Sequence, residues 1–447
     1  MSAGDPHPGP LPQREREIEY LPAPYLAWRI PDPIEPVRTY ADLLHNVGFA
    51  HVEDLRILTR AWQTIFALAR PDVVLCDHSP TAPLAASLDG IPCATIGTGF
   101  CCPPCGGETL PDLRPWIRNQ GSGTLAPSLA TGGPPRSGGL LSDVGGGTEE
   151  RVLANINVIR TEHGKAPWER LTELYSSAAE TFLTTFAELD HFSSRGDAHY
   201  LGVWESEQGK AFEWPRGWRG HETAPQKGAP SPRPSPGKGE GERAPRVFLY
   251  THRFPARDWL LEHLLRRGLP TVVYTHDLPR EMAAKLMNST MPTSGAPPLA
   301  DFAGQCHPVD QRHPMLVSDA PLNVSQAAAE CDVAILNSGH NSAAQFLLAG
   351  KPLLLLPIAL EQGLLMRRLV EQGLAVSAPP DRPAAIQAAL DELLTNPRYR
   401  AAARAFAAKY VSYDAEAAQD QIVRQIEQIA GSSRERAGAS GNVECPG

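Results

Sequence analysis

The segment Asn337-Ser338-Gly339-His340-Asn341-Ser342 gathers hydroxyl and amide side chains around one glycine, directly after the apolar run Cys331–Leu336 and directly before Ala343–Ala349. Hydroxyls and amides donate as well as accept, and glycine admits a ligand close to the main chain, so this composition suits an anion such as a diphosphate. If the apolar run is a buried strand and the next stretch a helix closed by Gly350, these six residues form a strand-to-helix loop. At the carboxyl edge of a parallel sheet such a loop offers free helix N–H groups and the positive end of the helix dipole. The same residue types also cap ordinary helices, and Ser338, Asn341 or Ser342 could do no more than that.

Two further groups reach the same kind of edge. The run Pro352–Pro357 delivers Glu361 and Gln362, a carboxylate and an amide that together accept from and donate to sugar hydroxyls; alternatively, Glu361 only complements a helix dipole. Asp77-His78-Ser79 follow the run Asp72–Asp77. They are adjacent, whereas a working triad converges from separated positions, so His78 alone is the candidate general base and a loop residue beside a cleft is the other reading. His340 either contacts phosphate or faces solvent. Cys102-Pro-Pro-Cys105 has the spacing of redox and zinc sites, yet no second pair accompanies it, and a plain loop without metal is expected.

The elements that position these groups follow from periodicity. Short apolar runs alternate with amphipathic stretches: a helix over 55–69, strands at 72–77 and 92–97 with a helix from 81 to 90 between them, and a helix over 149–163. The pattern restarts with strands at 246–251 and 270–275, the two runs already named, a helix over 361–372 and an Ala-rich tail from 398. Alternation of this kind predicts α/β architecture with parallel sheets. A chain of 447 residues exceeds one ordinary core, so two domains are expected.

A formal charge of −9 argues against a general nucleic-acid surface. The longest apolar run, 352–360, falls short of the roughly 20 residues of a membrane helix. The start lacks the apolar core of a secretory signal, and eight cysteines in so long a chain are no disulfide scaffold. A soluble, cytoplasmic protein is expected. Segments 1–18, 105–147, 205–245 and 431–447 read as unstructured; "PHPGPLPQRERE" and "SPRPSPGKGEGE" within them also resemble translated interspersed repeat DNA.

From Val317 to Val376 the chain resembles the donor-binding region of GT-B glycosyltransferases of the UDP-glycosyltransferase-like kind. The resemblance rests on "PLN" at Pro321, Cys331-Asp332, Asn341-Ser342, Gly350-Lys351-Pro352, Pro357 and Glu361-Gln362. It implies two Rossmann-like domains facing a cleft: an acceptor-side domain over 19–204, a linker over 205–245, a nucleotide-sugar donor domain over 246–397 and a helical tail over 398–430. It implies a nucleotide-diphosphate sugar, a UDP-sugar first among them, as donor substrate, with no cofactor or metal, an inverting transfer, and a small-molecule or lipid hydroxyl acceptor. Carried over by position, Ser338, Gly339 and Ser342 serve the diphosphate, Glu361 and Gln362 the sugar, and Thr251 stands near the phosphates.

The chain also departs from that pattern. Asn337 takes the place of the family's histidine, Ser338 that of a glycine, and Gln345 that of the glutamate on the ribose; amides hydrogen-bond but carry no charge. The first strand, glycine-bearing loop and base-carrying segment of the acceptor domain are not found, which suggests that roughly 60 to 100 residues are missing or replaced. A catalytically silent nucleotide-sugar-binding protein or truncated remnant is therefore an alternative to an active transferase. A sugar-nucleotide epimerase of the same architecture is another.

Overall fold

A computed structural model describes residues 20–26, 30–113, 145–192, 195–196, 198–204, 209–214, 244–275, 278–279, 281–283, 286, 315–318 and 320–440. Two parallel sheets organise the chain. The N-terminal domain holds helices α1 (Tyr40–Leu44) and α2 (Val52–Ala69), strand β1 (Val74–Asp77), α3 (Thr81–Asp89), β2 (Cys93–Gly97), α4 (Gly145–Glu162), α5 (Glu173–Ser176) and β3 (Glu180–Leu183). Its three strands pair in the order β1-β2-β3, and no strand precedes Val74 among the described residues.

The C-terminal domain runs β4 (Val247–Thr251), α6 (Arg257–Arg266), β5 (Thr271–Thr275), β6 (Met315–Ser318), α7 (Val324–Glu330), β7 (Val333–Leu336), α8 (His340–Leu348), β8 (Leu353–Leu355), α9 (Leu360–Glu371) and β9 (Ala375–Ser377). Three more helices follow: α10 (Pro383–Thr395), α11 (Pro397–Lys409) and α12 (Ala415–Ser440). The six strands lie in the order β6-β5-β4-β7-β8-β9, all parallel. After β4 the chain winds outward one way through β5 and β6, then returns to β7 on the other side of β4. The β4–β7 junction is thus the topological switch point, where open α/β sheets leave a crevice at the carboxyl edge.

Burial explains the central strands. Every residue of β7 and β8 is buried, between helices on both faces, as continuous apolar runs in a parallel sheet require. The α12 helix crosses back to the other domain, where Ile422, Ile426 and Ile429 pack on Ala94, Phe182 and Leu201.

Several segments differ from the sequence expectation. Within 205–245, residues 209–214 pack on the C-terminal domain: Lys210 bridges to Leu322, and Trp214 and Phe212 join the Phe248 cluster. Aromatic rings in a Gly/Pro-rich context gained more from burial than the backbone lost. Within 105–147, Leu110 and Leu113 are buried, and Asp112 bridges to Thr39. The tail at 398–430 is two helices, and α12 continues to Ser440, inside the stretch expected to be unstructured. The expectations for 1–18, 114–144 and 215–243 lie outside the described residues.

Candidate functional site

Thr251 ends β4 and Asn337 follows β7, so they flank the switch point. A cavity of about 340 Å³ opens there, lined by Thr251, His252, Gly339, Asn341, Ser342 and Gln362, with Thr98 closing it from the N-terminal domain. Gly339 is the N-cap of α8 and brings no side chain; no side chain caps this helix at all. The alternative of an ordinary side-chain-capped helix therefore does not hold. The first-turn N–H groups of α8 face a cavity, with the helix dipole behind them. Thr251 Oγ1 is buried and has no hydrogen-bond partner among the described residues, which is costly for a lone hydroxyl.

The expected site residues divide by role. Thr251, Gly339, Asn341 and Ser342 line this cavity together with Gln362, whose Oε1 accepts from Ile358 N–H at 2.9 Å. Asn337 reaches the cavity wall, but its amide is spoken for. Its Oδ1 accepts from His252 N–H, and its Nδ2 donates to Leu356 O at 2.7 Å, so it ties the ends of β4 and β8 to β7. Ser338 stands in the left-handed region at φ +67 and is fully buried, with Oγ unpartnered. It is not among the cavity's lining residues. Gln345 is buried one turn further on, with Oε1 unpartnered.

His340 lines the same cavity and does not face solvent. It is buried, with Nε2 2.7 Å from Thr185 Oγ1 of the opposite domain. Burial, reinforced by the neighbouring His191, lowers its pKa to about 4, so at neutral pH the ring carries no charge.

Glu361 points toward the N-terminal domain, where its Oε1 meets His191 Nε2 at 3.1 Å. His191 in turn stacks on His340 at 5.9 Å between ring centroids. Sequence reading missed His191, which sits in an irregular stretch without periodicity or motif. His78 is placed at the same cleft: its ring lies 5.4 Å from that of Phe100, and the Glu361 charge acts on it. Partial desolvation lowers its pKa, opposed by Asp77 and Glu361. Behind it, Gly97 adopts φ +140, and a Cβ there would lie 2.8 Å from Cys101 Cβ and 3.0 Å from Asp77 Oδ1. Only glycine lets β1 and the loop after β2 approach so closely.

A second, larger cavity of about 910 Å³ adjoins His191. Its walls include Leu110, Tyr175, Phe192 and Arg195 from the N-terminal domain and Leu364 and Arg368 from α9, so it too lies between the domains. The Cys102–Cys105 pair borders it as free thiols, and no cluster of metal-ligating side chains occurs among the described residues.

No family model and no curated protein matches the chain. Solved structures do. Spinosyn rhamnosyltransferase SpnG superposes with a TM-score of 0.52 at 14% identity, covering 84% of this chain and 78% of its own. The calicheamicin glycosyltransferase CalG4 gives 0.52 at 15%, covering 85% and 78%. The chain has the GT-B fold. Identity this low speaks for the fold alone. SpnG complexed with thymidine diphosphate matches at a TM-score of 0.51 and 13% identity, covering 84% and 78%. The 340 Å³ cavity at the β4–β7 junction and the 910 Å³ cavity are both lined from the two domains. No described helix is long and apolar enough to cross a membrane.

Proposed function

We propose that this chain is a glycosyltransferase that holds a nucleoside-diphosphate sugar in the crevice between β4 and β7 and passes the sugar to a hydroxyl acceptor seated in the 910 Å³ cavity. One observation carries the reading: uncapped α8 N–H groups and the buried, unpartnered Thr251 hydroxyl share one cavity at the switch point. That is a set of donors awaiting an anionic group. The donor assignment gains support from SpnG, a fold neighbour whose structure is complexed with thymidine diphosphate. A uridine or thymidine diphosphate sugar fits this reading.

In the proposed reaction the acceptor hydroxyl gives its proton to His78 as its oxygen attacks the anomeric carbon. The bond from that carbon to the diphosphate breaks, with inversion, and the charge growing on the leaving group falls on the α8 N–H groups and the positive dipole end. Glu361 and Gln362 accept from and donate to the sugar hydroxyls. Binding without transfer is the second reading. It is favoured by the edge of β1, which pairs with no further strand among the described residues and leaves Leu75 41% exposed.

Calorimetry of the purified chain with UDP, dTDP and GDP, and with their sugars, in the presence and absence of EDTA, tests the proposal. Tighter binding of one nucleotide when its sugar is attached, unaffected by EDTA, is the expected result. If a folded sample binds none of them, the proposal falls. Binding with no turnover toward any hydroxyl acceptor selects the second reading.

A further inference from the structure

The cleft contains one polar connection that donor chemistry alone does not explain. Tyr40 OH donates to Phe100 O at 2.8 Å, and the N–H of the same Phe100 donates to His191 Nδ1 at 3.2 Å. A ring nitrogen that accepts from an amide carries no proton itself, so the imidazole proton resides on Nε2. From there it points at Glu361 Oε1, 3.1 Å away. The His191 side chain is fully buried, whereas Glu361 is 30% exposed. The buried partner is therefore fixed by its surroundings, and the exposed carboxylate takes its orientation from it.

The segment that carries His191 is anchored on both sides. The Asp190 carboxylate, fully buried, accepts from Phe192 N–H at 3.0 Å, from Tyr200 OH at 2.9 Å and from Arg195. Its main-chain oxygen accepts from Arg368 Nε at 3.0 Å, two turns beyond Glu361 on the same α9. One irregular segment of the N-terminal domain thus grips a C-terminal helix at its first turn and again further along.

We propose that His191 is a positioning residue for sugar recognition. Locked as the Nε2–H tautomer by the Phe100 amide, it holds one oxygen of Glu361 and leaves the other to accept from a sugar hydroxyl. The N-terminal domain thereby sets how the donor domain reads its sugar. The inference rests on the donor reading above and goes beyond it, because it assigns part of the sugar specificity to the opposite domain.

The test compares wild type, His191→Phe and His191→Gln by calorimetry with the nucleotide diphosphate that binds and with the same nucleotide carrying its sugar. Phenylalanine keeps the ring volume and removes the donor; glutamine restores an N–H toward Glu361. His191→Phe should leave the free nucleotide within about twofold and weaken the sugar nucleotide about tenfold or more, the size of a lost hydrogen bond to a carboxylate. His191→Gln should recover most of that loss. Equal weakening of both ligands, or of neither, overturns the inference while leaving the donor site standing. If wild type binds no nucleotide sugar, the donor reading fails and the inference with it. Should His191→Phe not fold, nitrogen-15 histidine spectra of the wild type decide: an Nε2–H tautomer supports the role, and an Nδ1–H tautomer overturns it.

Discussion

Two turns at the carboxyl edges of the two sheets share a backbone device and use it differently. β1 ends in Asp77 followed by His78 at φ +43; β7 is followed by Asn337 and then Ser338 at φ +67. A left-handed non-glycine residue costs on the order of 1–2 kcal/mol, so the surrounding structure must impose each one. In the C-terminal turn the Asn337 amide is consumed by two main-chain partners and Ser338 is fully buried, so what remains facing the cavity is Gly339 and the first turn of α8. In the N-terminal turn Asp77 and His78 are exposed, and what faces the cleft is a titratable side chain. On the proposed reading, one turn presents N–H groups to an anion and the other an imidazole to a neutral acceptor.

The largest effect expected from breaking this contrast is at Asn337. Asn337→Ala removes the bond to the buried Leu356 C=O and the part-buried bond from His252 N–H, and the two losses cost roughly 3 kcal/mol together. Urea unfolding with an unchanged slope should show that loss, while Asp77→Ala, at the matching exposed position, should cost less than about 1 kcal/mol. Equal costs at both positions would mean that the Asn337 amide is no clamp, and the contrast between the turns would collapse.

Next in size is His78. His78→Gln should lower kcat about a hundredfold or more, the range of a lost general base, and leave nucleotide-sugar affinity within about threefold. Its opposite in every respect is Asn337, which should disturb stability and donor binding together. If His78→Gln leaves kcat unchanged in an active preparation, the N-terminal turn has no catalytic part and the base lies elsewhere in the cleft.

How far these roles could be read from sequence depends on whether their determinants are local. The apolar runs of β2, β4, β5, β7 and β8 are visible because a buried parallel strand must be largely apolar, and β1, though partly exposed, keeps the apolar run Val74–Cys76. β3, with Glu180 and Thr181, and β9, three residues ending in Ser377, are not, since such short mixed runs form strands only once a neighbour supplies the pairing. The turn from Asn337 to Ser342 stands out by composition, but that the Asn337 side chain is used up internally depends on β4 and β8, which are distant in sequence. His191 is the extreme case: 170 residues separate it from Glu361, and only the closing of two domains brings them together. Trp214 and Leu113, inside segments rich in Gly and Pro, show the converse, single large apolar residues that fold back onto a core despite their surroundings.

The smallest expected effect sharpens the comparison most, because its sign is the informative part. Ser338→Gly removes the left-handed strain and a buried hydroxyl with no partner, and both changes favour the folded state. Glycine also frees the unfolded chain, which offsets about 0.4–1 kcal/mol of that gain. The net expectation is a variant about 1 kcal/mol more stable, read as a higher urea midpoint. Nucleotide affinity should stay within about threefold, because the proposed donors are the α8 main chain and Thr251. A stabilised protein that has lost about tenfold in affinity would instead show that the serine is kept under strain for the ligand, and that the C-terminal turn, like its N-terminal counterpart, works through a side chain.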